Sequence, residues 1–269
     1  MELLEQYDVL SSQVLLLALS ATRIAVAFLM LPLFSNELIP ALVRNSIFLT
    51  LALIAVVVQP AIDVQVLDSA AWISLFAKEV MIGIVVGVFF GVYLWAFEAA
   101  GVLIDTQIGS SMAMIFDPLS GHEVTLFGEF LSLWVNYLFM AAGGLLLLNG
   151  AVLESYVLFP LNEPLDGLRM ASVRLFEAEY SSFFTLMLML ASPIVVVIFA
   201  IDVCMGLINR YAQQLNVLFL SMSLKALAAL LVLIILMPFL VDLLRDNIAS
   251  HSNGIERYLN VILGSGQSG

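Results

Sequence analysis

The chain has 269 residues, 62% of them hydrophobic and only 11% charged, with a mean hydropathy of +1.10. A soluble domain carries an apolar fraction nearer ~45–50%, so this chain belongs in lipid or against equally apolar chains. Nine Lys and Arg against 21 Asp and Glu leave a net charge of −12, which gives no electrostatic basis for binding nucleic acid or anionic headgroups. The single cysteine, Cys204, excludes a disulfide framework and a cysteine-based zinc site. His122 and His251 cannot fill a metal site alone, and no cofactor is expected.

Taken in chain order, the N-terminus is acidic (Glu2, Glu5, Asp8) where a secretory signal needs positive charge, so no cleaved leader is expected. Apolar runs then recur at 14–34, 47–58, 72–97, 126–148, 183–201 and 217–241. Most reach the ~20 residues that cross a hydrocarbon core; the second does so only if it begins near Pro40 and includes Arg44. The runs are continuous rather than alternating and too long for barrel strands of ~10 residues. The expected fold is therefore all-α, a hydrophobic membrane-associated protein of about six long helices. Pro32, Pro40, Pro60, Pro160, Pro164 and Pro238 fall near run ends, while Pro193 lies inside a run and predicts a kink.

Two connections differ in character. The segment 101–128 contains Gly109-Ser110-Ser111 and Asp117-Pro118-Leu119-Ser120-Gly121, a turn composition, yet also Met112, Met114, Ile115 and Phe116, which a solvated loop avoids. Gly109, Asp117, Pro118 and Gly121 read as hinges, and the four apolar residues as a stopper able to block a passage and move aside. The segment 161–182 is the most polar stretch, an aqueous excursion carrying a short amphipathic helix. A Gly-Ser-rich end at 264–269 has linker composition.

Arg23, Lys78, Glu79, Glu98, Asp202 and Lys225 sit inside or at the ends of apolar runs, where each charge costs ~2.5–3.5 kcal/mol without a partner or water. The distribution of Arg44 and Arg210 against Arg169, Arg174, Arg245 and Arg257 gives a poor topology signal. Both features suit a chain surrounded largely by protein. Gly83, Gly87 and Gly91 form a stripe without side-chain bulk, which reads as tight helix packing. Glu79 lies on that stripe, and its partner is an intramolecular Arg23 or Lys225 or a cation on another subunit. The 12 methionines read as core packing in the helices and as sealing material in the loop.

Enzymatic readings find little support. His122-Glu123 begins like the zinc-protease helix motif, but the second histidine position is Leu126. Ser110, Ser111, Ser155 and Ser221 lie in no Gly-x-Ser-x-Gly elbow, and no phosphate-cradling glycine loop is present. A small-solute secondary transporter remains an alternative, on account of Glu79, Asp202, Lys225 and the Pro193 kink.

Several motifs in order resemble a known family. The stretch 100–109 with Asp105 and Gln107, then Asp117-Pro118, Gly143-Gly144, Glu154-Ser155-Tyr156, and the stretch 209–217 with Arg210 and Asn216, followed by Lys225, resemble the export-apparatus T component of type III secretion systems (SctT, YscT, HrcT, SpaR), a family that includes flagellar FliR. The resemblance runs from about Arg23 to Lys225, and the stretch 218–225 is closer to the injectisome branch. Gln213 and Ser223 stand where the family commonly has proline.

The resemblance implies a subunit of an export gate, one copy joining R and S partners in a helical hetero-oligomer in the bacterial inner membrane, at the centre of the secretion basal body. It also implies neighbouring U and V components and unfolded secreted proteins as substrates. Residues 1–182 would be an R-like part, 183–241 an S-like helical hairpin with its polar tip near 202–216, and 242–269 a tail. The loop 105–118 would match the family's pore plug, placing Met112, Met114, Ile115 and Phe116 at the constriction. Arg23, Lys78, Glu79, Glu98, Asp105, Gln107, Asp202, Arg210, Asn216 and Lys225 would then be buried or intersubunit polar positions.

Overall fold

The computed structural model describes residues 2–35, 38–58, 69–109, 125–161, 170–211 and 216–252. Among them are seven α-helices and no strand: α1 (Glu2–Leu29), α2 (Ala41–Val58), α3 (Ser69–Ile108), α4 (Leu126–Ala141), α5 (Gly144–Leu158), α6 (Met170–Tyr211) and α7 (Val217–Ser252), with one 3-10 turn at Pro32–Phe34. The continuous apolar runs therefore do form helices, but α3, α6 and α7, at 40, 42 and 36 residues, extend well past the runs that suggested them. At ~1.5 Å per residue each is longer than a ~30 Å hydrocarbon core. Three stretches are long and apolar enough to cross a membrane: Trp72–Ile108, Glu177–Tyr211 and Val217–Leu244. α4 and α5 together form a fourth, broken candidate, while the apolar parts of α1 and α2 are shorter.

The main departure from the sequence reading is in the run 126–148, expected as one helix. It divides at Ala142–Gly143. The Ala142 amide donates to Leu138 O (2.8 Å), closing α4, while Gly143 takes a left-handed φ of +81° and its carbonyl accepts from Leu146 (2.9 Å) to start α5. Hydropathy continues across this point, so only the glycine pair marks the break. Gly109 ends α3 in the same conformation, φ +99°, its amide donating to Asp105 O at 3.1 Å. Pro193 lies within α6 without interrupting it.

The chain forms two compact units. The first comprises 1–91, 143–179 and 249–269; the second, 92–142 and 180–248. In the first, α1, α2, the start of α3 and α5 share a core of Leu19, Ile24, Phe28, Phe48, Ile82, Phe89, Leu148 and Val152. Phe28, Phe34 and Phe48 stack with ring centroids 4.9 to 5.9 Å apart, closing the turn between α1 and α2. A methyl at Gly83 would meet Arg23 O at 2.8 Å, and one at Gly87 would meet Met30 Cβ at 2.7 Å, so α1 lies directly on this glycine stripe. Gly91, the third of the series, is buried.

In the second unit, Leu94, Phe97, Ala100 and Ile104 of α3 pack with Leu131, Val135 and Phe139 of α4. α7 buries one stripe at four-residue spacing, Ser221, Lys225, Ala229 and Leu233, and α6 buries Leu190, Ile194 and Ile198. Most of the apolar window of both helices is open: only 22% of it is buried in each, against 72% in α3. A face this apolar and this uncovered needs lipid or other protein against it.

Candidate functional site

In the first unit, Arg23, Lys78 and Glu79 are buried together. Arg23 of α1 meets Glu79 of α3 in a two-pronged pair, Nε to Oε2 at 2.7 Å and Nη2 to Oε1 at 2.9 Å. Its remaining donors reach Ser155 Oγ (3.1 Å) and the Phe159 carbonyl (2.9 Å) at the end of α5, and the Tyr156 ring lies 4.0 Å from Cζ. Tyr156 in turn donates to the Ser20 carbonyl, and Ser155 donates to Val152 O at 2.6 Å. Lys78 donates to the carbonyls of Pro160 (2.6 Å) and Leu161 (3.2 Å), and sits 3.3 Å from Glu79 Oε1.

This geometry explains how the charges tolerate an apolar surrounding. Burying an ion costs several kcal/mol, and the cost is offset only when geometry is good and the remaining donors are satisfied. Arginine's planar fork matches a carboxylate on two atoms at once, which an ammonium cannot do. Both cations also face carbonyls just past the C-terminal end of α5, where the helix dipole is negative. The cluster ties α1, α3 and α5 together. Its hydroxyls are committed to main-chain carbonyls, so it has the makings of a structural lock rather than of a nucleophile with its base.

In the second unit, polar groups gather where the connection 110–124 leaves α3 and returns to α4. Thr125 occupies the N-cap position of α4 but makes no side-chain cap. Asp105, one turn before the end of α3, supplies it instead: Oδ2 accepts from the amides of Phe127 (2.9 Å) and Gly128 (3.0 Å). This approach requires that α3 and α4 nearly touch. A methyl on Gly101 would sit 2.6 Å from Gly128 Cα and against the Phe127 carbonyl, so no side chain fits. On the other side, Lys225 of α7 donates from Nζ to the Gln107 carbonyl (3.0 Å) and pairs with Asp202 Oδ1 (3.0 Å). Met222, one turn before Lys225, lies near Gly109: a methyl added there would meet its Cγ at 3.7 Å.

The structure thus brings Arg23, Lys78 and Glu79 into one cluster and joins Gln107, Asp202 and Lys225 at a second place, while Asp105, two residues before Gln107, faces the first turn of α4. Gln107 takes part through its carbonyl only. Glu98 is half-buried and accepts from Ser132 at 3.3 Å. Arg210 and Asn216 are exposed, Arg210 in the last turn of α6, where a cation complements the dipole, and Asn216 accepting from the Leu220 amide at 3.3 Å. Met112, Met114, Ile115, Phe116, Asp117, Pro118 and Gly121 lie outside the described residues, as does His122. Ser155, Tyr156 and the carbonyls of 159–161 were not singled out as charge partners. The Glu154-Ser155-Tyr156 run beside Pro160 was the available signal, since a helix ending in proline leaves carbonyls open. Among the described residues, no group of three or more His, Cys, Asp or Glu is placed to hold a metal.

Comparison with known proteins identifies the family of the chain. The family described as bacterial export proteins, family 1, matches residues 14–251. The chain is 33% identical to the secretion system apparatus protein SsaT of Salmonella typhimurium, over 78% of this chain and 82% of SsaT. It is 31% identical to the Yop proteins translocation protein T of Yersinia pestis, over 85% and 88% of the two chains, and 24% identical to the flagellar biosynthetic protein FliR of Bacillus subtilis, over 83% and 86%. A hydrophobic all-α chain with spanning-length helices, matched over nearly its whole length, is thereby placed: it belongs to bacterial export proteins family 1, the SctT/SpaR family homologous to FliR, and is a component of a type III secretion export apparatus.

Proposed function

We propose that this chain is a core, non-enzymatic subunit of the export gate, a multi-pass inner-membrane protein within the secretion basal body. With R and S partners, and with U and V components as neighbours, it forms the conduit for unfolded secreted proteins. Residues 1–182 serve as the R-like part, 183–241 as the S-like hairpin and 242–269 as a tail. Met112, Met114, Ile115 and Phe116 form a hydrophobic plug between hinges at Gly109, Asp117, Pro118 and Gly121. The observation that carries this reading is the base of the connection 110–124. An apolar, glycine-flanked segment springs from a foundation held by Asp105, Lys225 and the Gly101–Gly128 contact.

The physics of a conduit supports it. A passage for unfolded chains must be wide in use and closed to ions at rest, and apolar side chains seal by excluding water and part under small force. The uncovered faces of α6 and α7 offer surface for partner helices. A secondary transporter would need free intramembrane acids, whereas both oxygens of Glu79 are taken up by Arg23 and Lys78. Deleting residues 110–116 in cells that assemble the complex should make the inner membrane leaky to small solutes, measured by dye or ion uptake. Unchanged leakage contradicts the plug. The detergent-solubilised chain should also migrate as a discrete hetero-oligomer with two other small hydrophobic proteins; a lone monomer contradicts the subunit reading.

A further inference from the structure

The base of the connection 110–124 is held by two devices of different kinds. Asp105 closes it: one carboxylate oxygen, in a residue only 4% exposed, grips two amides of the first turn of α4 at 2.9 and 3.0 Å. Both ends of the connection are thereby fastened to each other. Lys225 fastens this closed base to the hairpin of α6 and α7, through the Gln107 carbonyl at 3.0 Å. The two joints differ in exposure. The Lys225 side chain is 10% exposed, but its counter-charge, Asp202, is 45% exposed. Met222 of α7 lies near the same base, where a methyl added to Gly109 would meet its Cγ at 3.7 Å.

We propose that Lys225 is the positioning residue through which the α6–α7 hairpin sets the place of the connection's base, with Asp202 holding the ammonium over Gln107, and that Asp105 keeps the base closed while this joint works. A displacement of the hairpin is passed to the base through one cation. An exposed counter-charge makes that the joint that gives first, because water or a neighbouring charge can compete for Asp202 without opening the core. The carboxylate at the end of α3 belongs to a residue only 4% exposed and also answers the positive end of the α4 dipole. The inference rests on the plug reading only for its leakage consequence.

The test uses the assembled complex in lipid nanodiscs on a Cys204→Ser background, with spin labels at exposed positions. Labels at Thr106→Cys and Ser223→Cys report the base against α7, and labels at Thr106→Cys and Leu126→Cys report closure of the base. Lys225→Met should widen and lengthen the first distance distribution while leaving the second unchanged, and Asp105→Ala should widen the second. Asp202→Asn, at a side chain 45% exposed, should shift the first distribution in the same direction by less. An unchanged first distribution in Lys225→Met, or in Asp202→Asn where Lys225→Met does not assemble, overturns the proposal. Solute leakage is measured on the same variants. A widened distribution with raised leakage supports both readings, a widened distribution with unchanged leakage keeps the joint and removes the plug, and raised leakage with unchanged distances removes the joint.

Discussion

Replacing Glu79 with alanine should largely prevent accumulation of the folded chain, because it leaves Arg23 and Lys78 as two buried cations without their shared carboxylate. Breaking a buried pair from one side costs about 3–5 kcal/mol, a large part of the ~5–15 kcal/mol that holds a typical domain together. Glu79→Gln should cost less, since the amide oxygen still accepts from the guanidinium. The double variant Arg23→Met with Glu79→Met should recover part of the stability lost on replacing Glu79 with Met alone, because it leaves one buried cation, Lys78, without the shared carboxylate instead of two. Thermal unfolding of the detergent-solubilised complex and its steady-state amount in membranes measure this. Wild-type values for Glu79→Ala would show that the cluster is dispensable.

The second large effect is expected at Gly101. Valine there must displace the α4 backbone, since even the Cβ would lie 2.6 Å from Gly128 Cα. Overpacking of this kind costs about 1–3 kcal/mol when flexible side chains can yield, and more when, as here, the obstacle is main chain. The separation would also draw Asp105 away from the Phe127 and Gly128 amides, so leakage through assembled complexes and loss of assembly should both appear. Gly150→Ala is the matched control: nothing lies within 4 Å of its Cβ position, and the change should be silent. Secretion by Gly101→Val at wild-type rates would contradict the close helix contact.

How much of this was legible in the sequence follows from which forces leave a local mark. Long uninterrupted hydrophobicity marks a helix wherever it occurs, so the all-α class could be read directly, and the Gly83–Gly87 stripe pointed to a tight contact because four-residue spacing lies on one helix face. The partner of that stripe, α1, has no local signature. Likewise, Glu79 was read as a buried acid with Arg23 or Lys225 as candidate partners, and only the three-dimensional path of α1 and α7 assigns Arg23 to Glu79 and Lys225 to Asp202. The break at Gly143 was hidden because hydropathy does not change there; only backbone φ does. Asp105 drew attention through resemblance, but its role as a remote cap depends on a contact 22 residues away in sequence, between helices whose register no periodicity reports.

The central claim is that the apolar stretch following Gly109 meets the protein being exported. The most direct measurement replaces Met114 with the photo-cross-linking amino acid p-benzoylphenylalanine in cells carrying the assembled apparatus and a secretion substrate stalled by a folded fusion domain. Illumination should yield a covalent adduct between position 114 and the stalled substrate, absent when the substrate is not expressed. Adducts to lipid or to neighbouring subunits alone, with the substrate demonstrably stalled in the same complexes, would contradict the account.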